Sequence, residues 1–449
     1  MTVNPADSEI FGDLFGTPEM RALFSYRQRL QCMLDVEAAL ACVEARLGIV
    51  PAEAAAAITA AASADRLDVG ELAASTRVVG YPVVALTKQL GRAAGGDAAK
   101  YVHWGATTQD ILDTALVLQI RRGLELIEAG LMAVASGLAE KAEAHRTTVM
   151  AGRTHLQHAL PVTFGYKCAV WLAPLLDHLT RLRELRPRVL RVQFGGAVGT
   201  LASLGSGGEA LRTVGELARE LGLGEPAITW HVARDTIAET VQFLALLGGS
   251  LAKIADDVML MSATEFGEAS EPFMEGRGAS STMPQKRNPI SCGIILAAAR
   301  ALRQQAGLAL DAMVNTFERN AAAWHLEWIA VPEAFGYAAG ALNQTVFITG
   351  GLIVDSGGMQ KNLALTHGLI VAEAVMMGLA PHIGRNDAHH LVTDACRAAI
   401  AGNRPLLDVL LEMETVAGPL GAERLKALTD PANYLGAAPA MVDRVLGGR

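Results

Sequence analysis

The stretch L-A-L-L-G-G-S-L-A-K-I-A-D-D-V-M-L-M, residues 244–261, decides the architecture. Its large apolar residues Leu244, Leu247, Leu251, Ile254, Val258 and Met261 step by 3-4-3-4-3. That spacing lines one face of an α-helix and is wrong for a strand, whose side chains alternate. Upstream, Leu112, Leu116, Ile120, Leu124, Ile127, Leu131, Val134 and Leu138 keep the same steps, which predicts a helix of roughly 40 Å at ~1.5 Å per residue. Downstream, Leu302, Ala306, Leu310 and Met313 predict a third helix. Three sustained seams cannot be buried singly and call for a helical bundle, and helices of this length suit a bundle shared between subunits. Strand-like alternation is scarce, so the expected fold class is all-α. Residues 28–48 add an amphipathic helix with Leu30, Met33, Leu34, Ala38, Leu40 and Leu47 on its apolar side, broken by Asp35, Glu37 and Glu44 and stopped at Gly48. The chain thus reads as an N-terminal helical domain over 1–110, a central bundle over 111–350 and a small C-terminal helical domain over 351–449.

Composition narrows the class. The chain has 449 residues, 51% of them hydrophobic, enough for a large core. Lys167, Lys253 and Glu333 interrupt the longest apolar runs, so no membrane span is expected. The opening M-T-V-N-P-A-D-S-E-I has neither a basic nor an apolar leader region, and secretion is not expected. The five cysteines, Cys32, Cys42, Cys168, Cys292 and Cys396, are an odd set without C-x-x-C spacing and suit a reducing cytoplasm. A net charge of -8 without a basic stripe argues against nucleic acid as a partner.

Between the second and third helical runs lies G-R-G-A-S-S-T-M-P-Q-K-R-N-P, residues 276–289. Gly276, Gly278, Pro284 and Pro289 exclude a regular helix or central strand, so this is a loop. Ser280, Ser281, Lys286, Arg287 and Asn288 suit it to closing over an anion, because ammonium and backbone N–H groups add to a local positive field. A solvated basic turn is the plainer alternative. In Y-V-H-W-G-A-T-T-Q-D, residues 101–110, Thr107 with Asp110 predicts a helix N-cap; Thr107, Thr108 and the free N–H groups of that helix start are also suited to a carboxylate. In A-G-R-T-H-L-Q-H-A-L-P-V-T-F-G, residues 151–165, His155 and His158 have no third ligand near, so no metal site is expected. R-V-Q-F-G-G-A-V-G-T-L-A-S-L-G, residues 191–205, reads as a β-like run followed by glycines, but its G-G-x-x-G is not the dinucleotide fingerprint.

The order S-S-T-M-P-Q-K-R-N-P closely resembles the signature loop of the fumarase/aspartase superfamily. T-H-L-Q-H-A and G-A-V-G-T are similar to further blocks of it, in the family's order over nearly the whole chain, while W-H-V-A-R-D (230–235) and W-H-L-E-W (324–328) are similar to blocks of its cycloisomerase and adenylosuccinate lyase branch. Y-V-H-W-G-A-T-T-Q-D and W-H-L-E-W look most like its 3-carboxy-cis,cis-muconate cycloisomerase members. The resemblance implies a three-domain helical fold, a homotetramer with active sites built from several chains, no cofactor or metal, and a small anionic di- or tricarboxylate as substrate. It gives Ser280 the role of the base that takes a proton beside a carboxylate, with Ser281 next to it, and makes Lys286 and Asn288 carboxylate ligands. His155 becomes the proton donor to the leaving group, flanked by Thr154 and Gln157. His103, Thr107 and Thr108 join the substrate site, with Arg234 and His325 as second-rank candidates. The implied intermediate is a dianionic aci-carboxylate, from which a group on the neighbouring carbon leaves or, in reverse, adds. Two departures keep other outcomes open. His155 stands where cycloisomerases can carry Trp, and Gln285 where their loop often has His; both look more like the amine-releasing lyases. Elimination of fumarate, epimerisation of an amino-linked dicarboxylate such as iminodisuccinate, and an inactive crystallin-like structural protein are the alternatives, the last disfavoured by Ser280, His155, Lys286 and Asn288 being present.

Overall fold

The computed structural model describes residues 4–448, with the backbone alone at Ala321; the first three residues of the opening stretch lie outside the described residues. The architecture is all-α. Its main helices are α1 (Tyr26–Arg46), α2 (Val69–Val79), α3 (Thr108–Ala144), α4 (Phe164–Val189), α5 (Asp235–Met261), α6 (Ile290–Asp311), α7 (Ala321–Gly351), α8 (Ala372–Ile383) and α9 (Arg385–Gly402). An antiparallel hairpin, β1 (Val149–Thr154) with β2 (Gln157–Thr163), separates α3 from α4. Apart from it, the described residues form one further pair of two-residue strands, Ala269–Ser270 with Ile353–Val354.

The first two seams are buried along their whole length. Every one of the eight seam positions from Leu112 to Leu138 on α3 and of the six from Leu244 to Met261 on α5 is in the core. The third seam is shorter than its spacing predicts: Leu302 and Ala306 are buried, but Leu310 is 51% exposed and Met313 37% exposed. Leu310 lies in the last turn of α6, which ends at Asp311, and Met313 lies beyond it. On α1, Ser25 caps the start by accepting from Gln28 N–H at 3.2 Å, and Gly48 leaves the helix at φ +76°. Asp35 is exposed as its spacing implies, but Glu37 and Glu44 lie on the buried face. The β-like run at 191–194 is not a strand; it makes an isolated bridge between Arg191 and Gly224.

The chain divides into two compact units, neither continuous in sequence. The first gathers the residues up to Leu131 with His178–Leu251 and Ala297–Asn343; the second gathers Met132–Asp177, Ala252–Leu296 and the residues from Gln344 onward. The first has a core around Leu34, Ile58, Leu86 and Ile111, the second one around Val375, Leu379, Leu406 and Leu410. Among the described residues no single helix is long and apolar enough to cross a membrane.

Candidate active site

In the first unit, the start of α3 is closed by a carboxylate of the chain itself. Asp110 Oδ2 accepts from Thr107 N–H and Gly196 N–H, each at 2.9 Å. Its Oδ1 accepts from Gly195 N–H at 3.0 Å and lies 2.7 Å from His231 Nε2. The glycine-rich run therefore wraps around a side chain, which is why it resembles an anion loop without being one. A Cβ on Gly195 would stand 2.2 Å from Thr229 Cγ2, so a larger residue would push the backbone away. The Thr107 amide, expected to be open to a substrate carboxylate, is occupied. The Thr107 and Thr108 side chains, half-buried, have hydroxyls without a hydrogen-bond partner among the described residues.

His103 has left-handed backbone, φ +63°, and its Nδ1 lies 2.6 Å from buried Glu37 Oε1. Burial works against its charge, but Glu37 and Asp110 outweigh burial and hold the imidazolium above its ordinary range. Glu44, about two turns along α1 from Glu37, has both oxygens buried without a partner among the described residues, and burial next to Glu37 pushes its carboxyl up to about 9.

Arg234 is not available as a substrate ligand. It is fully buried and donates to Asp113 at 2.7 and 3.0 Å and to Glu327 at 2.8 Å, with a second contact to Glu327. Trp324 Nε1 and Gln109 Nε2 also donate to Asp113, at 3.0 and 3.1 Å. Arg319 extends the network, donating to Gln109 Oε1 at 3.0 Å and to the Ala197 carbonyl at 2.8 Å. His325 sits among rings, 4.6 Å from Trp328 between centroids, with Nε2 buried and without a partner among the described residues. Asp113, Glu327 and Arg319 are the residues that sequence reasoning missed, while Asp110 reads in the sequence only as part of the helix N-cap. An acidic residue beside Leu112 in the apolar seam of α3 is the signal that marks Asp113.

In the second unit, the signature loop is anchored at both feet. Asn288 N–H and Nδ2 both donate to the Gly278 carbonyl at 3.0 Å, and Ala279 bridges Arg287. Gly278 has φ +69°, and a Cβ there would lie 2.4 Å from Asn288 O, so glycine is required. Arg277 donates to Ser291 Oγ and Gln344 Oε1, each at 2.6 Å, while Glu271 accepts from Ser291 and Cys292 N–H at 3.2 and 2.7 Å and so caps α6. A cavity of about 140 Å³ lies at these feet, lined by Glu271, Arg277, Arg287 and Asn288 among others. Between the feet, Ser281 and Lys286 are exposed. Ser280 Oγ accepts from Met283 N–H at 3.1 Å and Thr282 N–H at 3.3 Å. Donors aimed at an oxygen favour its anionic form.

His155 and Leu156 form the two-residue turn of the β1–β2 hairpin, with φ +51° and +63°. Asn-Gly or Gly-Gly normally occupies such a turn, so side chains here are strained. The base of the hairpin holds the turn in place: Arg153 donates to Glu268 at 2.9 and 2.7 Å, and Asn362 donates to Glu268 at 2.8 Å. Thr154, His155 and Gln157 are exposed at the tip. The structure thus groups Thr154, His155 and Gln157 on one turn, and Ser280, Ser281, Lys286 and Asn288 on one loop.

Comparison with known proteins gives the family. A family model described as "Lyase" matches residues 15–303, and one described as "Adenylosuccinate lyase C-terminus" matches 368–445. The chain belongs to that lyase family and is an enzyme of the fumarase/aspartase superfamily. It is 49% identical to a 3-carboxy-cis,cis-muconate cycloisomerase of Pseudomonas aeruginosa, over 98% of this chain and 96% of that one. It is 47% identical to trans-aconitate decarboxylase 1 of Mycosarcoma maydis, over 97% and 88% of the two chains. Among solved structures, a fumarate lyase from Mesorhizobium sp. BNC1 matches with a TM-score of 0.91 and 54% identity, over 97% of this chain and 99% of that one.

Proposed function

We propose that this protein is a cofactor-independent cycloisomerase of 3-carboxy-cis,cis-muconate, with Ser280 as the group that moves the proton at carbon. The observation that carries this reading is the pair of backbone N–H groups on Ser280 Oγ, in a loop whose Lys286 is exposed. Serine is a poor acid–base group in water, and those donors, with loop closure to exclude water, bring it into range. In ring closure, a substrate carboxylate oxygen forms a C–O bond to an alkene carbon, and the displaced electron pair moves into the neighbouring carboxylate as its aci form. Ser280 Oγ–H gives its proton to the carbon beside that carboxylate and then regains one from water. Lys286 and the second Nδ2 hydrogen of Asn288 hold the dianion, each such donor contributing on the order of 3 kcal/mol. His155, with Thr154 and Gln157, binds the second carboxylate. Arg234 and Asp110 act as framework, holding their surroundings rather than the substrate.

The reading includes a cytoplasmic homotetramer whose bundle is shared by four subunits. Large apolar side chains exposed on the long helices support the assembly: Met132 on α3, Val170 on α4, Leu246 on α5, Leu310 on α6 and Ile329 on α7. Light scattering on the eluted protein tests it, and a stable monomer would overturn it. The reaction is tested by incubating the enzyme with 3-carboxy-cis,cis-muconate, trans-aconitate, argininosuccinate, adenylosuccinate and iminodisuccinate separately. Lactone from the muconate is expected. Carbon dioxide from trans-aconitate, fumarate from either succinate adduct, or a new diastereomer of iminodisuccinate, without lactone, would replace the reading.

A further inference from the structure

A groove in the first unit carries a cation that the chain does not neutralise. It encloses about 500 Å³ and is bordered by α1, α2 and Trp328 of α7. Leu30, Met33, Leu72 and Leu112 give it apolar walls; Arg29 and Arg77 are its charged lining residues, and no acid lines it. The Arg29 guanidinium lies 5.2 Å from the Trp328 ring centroid. It has no hydrogen bond or ion pair to any described residue. Arg153 and Arg234, the guanidinium groups discussed above, each meet a carboxylate in two contacts. Burial pulls the Arg29 guanidinium below its ordinary range, and Asp113 only partly opposes this. A half-buried cation without a hydrogen-bond partner is the state expected of a group whose partner is a ligand.

We propose that this groove binds a planar aromatic or conjugated carboxylate, the carboxylate pairing with Arg29 and the apolar body lying along Leu30, Met33 and Leu72. Features of the groove select this class. An inorganic anion would gain nothing from the apolar walls, and a neutral apolar molecule would leave Arg29 unpaired. A guanidinium packed on an indole keeps its edge N–H groups free for the two-pronged geometry that a carboxylate accepts. Arg77, exposed at α2, adds attraction for an anion from solution. The site uses neither Ser280 nor Lys286, so it stands independently of the reaction proposed above.

Calorimetric titration of the intact protein tests the assignment, with sodium benzoate as probe and with acetate and benzyl alcohol each lacking one half of the recognised chemistry. Benzoate is expected to bind at one saturable site with Kd at or below ~1 mM, and both controls at least ~10-fold more weakly. Arg29→Gln should weaken benzoate at least ~10-fold, since it removes the charge-assisted pair. Ala73→Glu, on the exposed face of α2 that lines the groove, introduces a competing carboxylate and should abolish binding even if Arg29→Gln folds poorly. Failure of the parent protein to bind benzoate, equal binding of acetate, or unchanged benzoate binding by folded Arg29→Gln or Ala73→Glu would overturn the proposal.

Discussion

The buried ion network of the first unit and the two loops of the second use the same kinds of residue under opposite conditions. Arg234, Asp113, Glu327, Asp110 and His231 are buried and paired with one another. Lys286, Ser281, His155 and Gln157 are exposed, and His155 is held in a strained turn. Charge taken out of water and paired within the protein has little left to offer a substrate. Residue type does not separate framework from chemistry here; burial in charge pairs against exposure on a loop does.

That contrast can be broken from either side. The largest effect is expected from Arg234→Met, which leaves Asp113 and Glu327 buried without their cation and should cost about 3–5 kcal/mol in chemical denaturation. A loss under ~1 kcal/mol would show that the network is not framework. Next is Glu44→Gln. With its carboxyl at about 9 in the folded protein, Glu44 keeps a proton that the unfolded chain loses above the ordinary carboxylate range. The parent's stability therefore falls as pH rises from ~4.5 toward 9, and the variant escapes that fall. A gap growing to the order of 2–4 kcal/mol in the variant's favour at pH 8, and absent at pH 4, is expected from melts across pH. A gap independent of pH would mean that Glu44 is not held protonated. The smallest effect sharpens the other side: His155→Gly relieves the turn's positive φ and should stabilise by about 1 kcal/mol while lowering kcat. A glycine variant that keeps full kcat would remove His155 from the chemistry.

The long helices are legible in the sequence because their seams repeat over many turns, and each buried step on α3 and α5 agrees with the spacing. The signature loop is legible because its glycines and prolines leave it no regular structure. The hairpin is not, since V-M-A-G-R-T has no alternation and His155-Leu156 is not a pair that usually makes a two-residue turn. Glu37 and Glu44 look like a solvent face by spacing; their burial depends on His103, 66 residues from Glu37, and on Glu44 keeping its proton. Arg234 looks like a ligand for a similar reason, because its partners Asp113 and Glu327 lie 121 and 93 residues away. Pairing across such distances leaves no local pattern.

The most direct test of the account is proton NMR in D₂O of 3-carboxy-cis,cis-muconate turned over by the parent enzyme and by Ser280→Ala. The account predicts that the parent forms a lactone with one deuterium on the carbon beside the carboxylate, and that the folded variant forms it roughly 10³-fold more slowly. Lactone formed by Ser280→Ala at the parent's rate would contradict it.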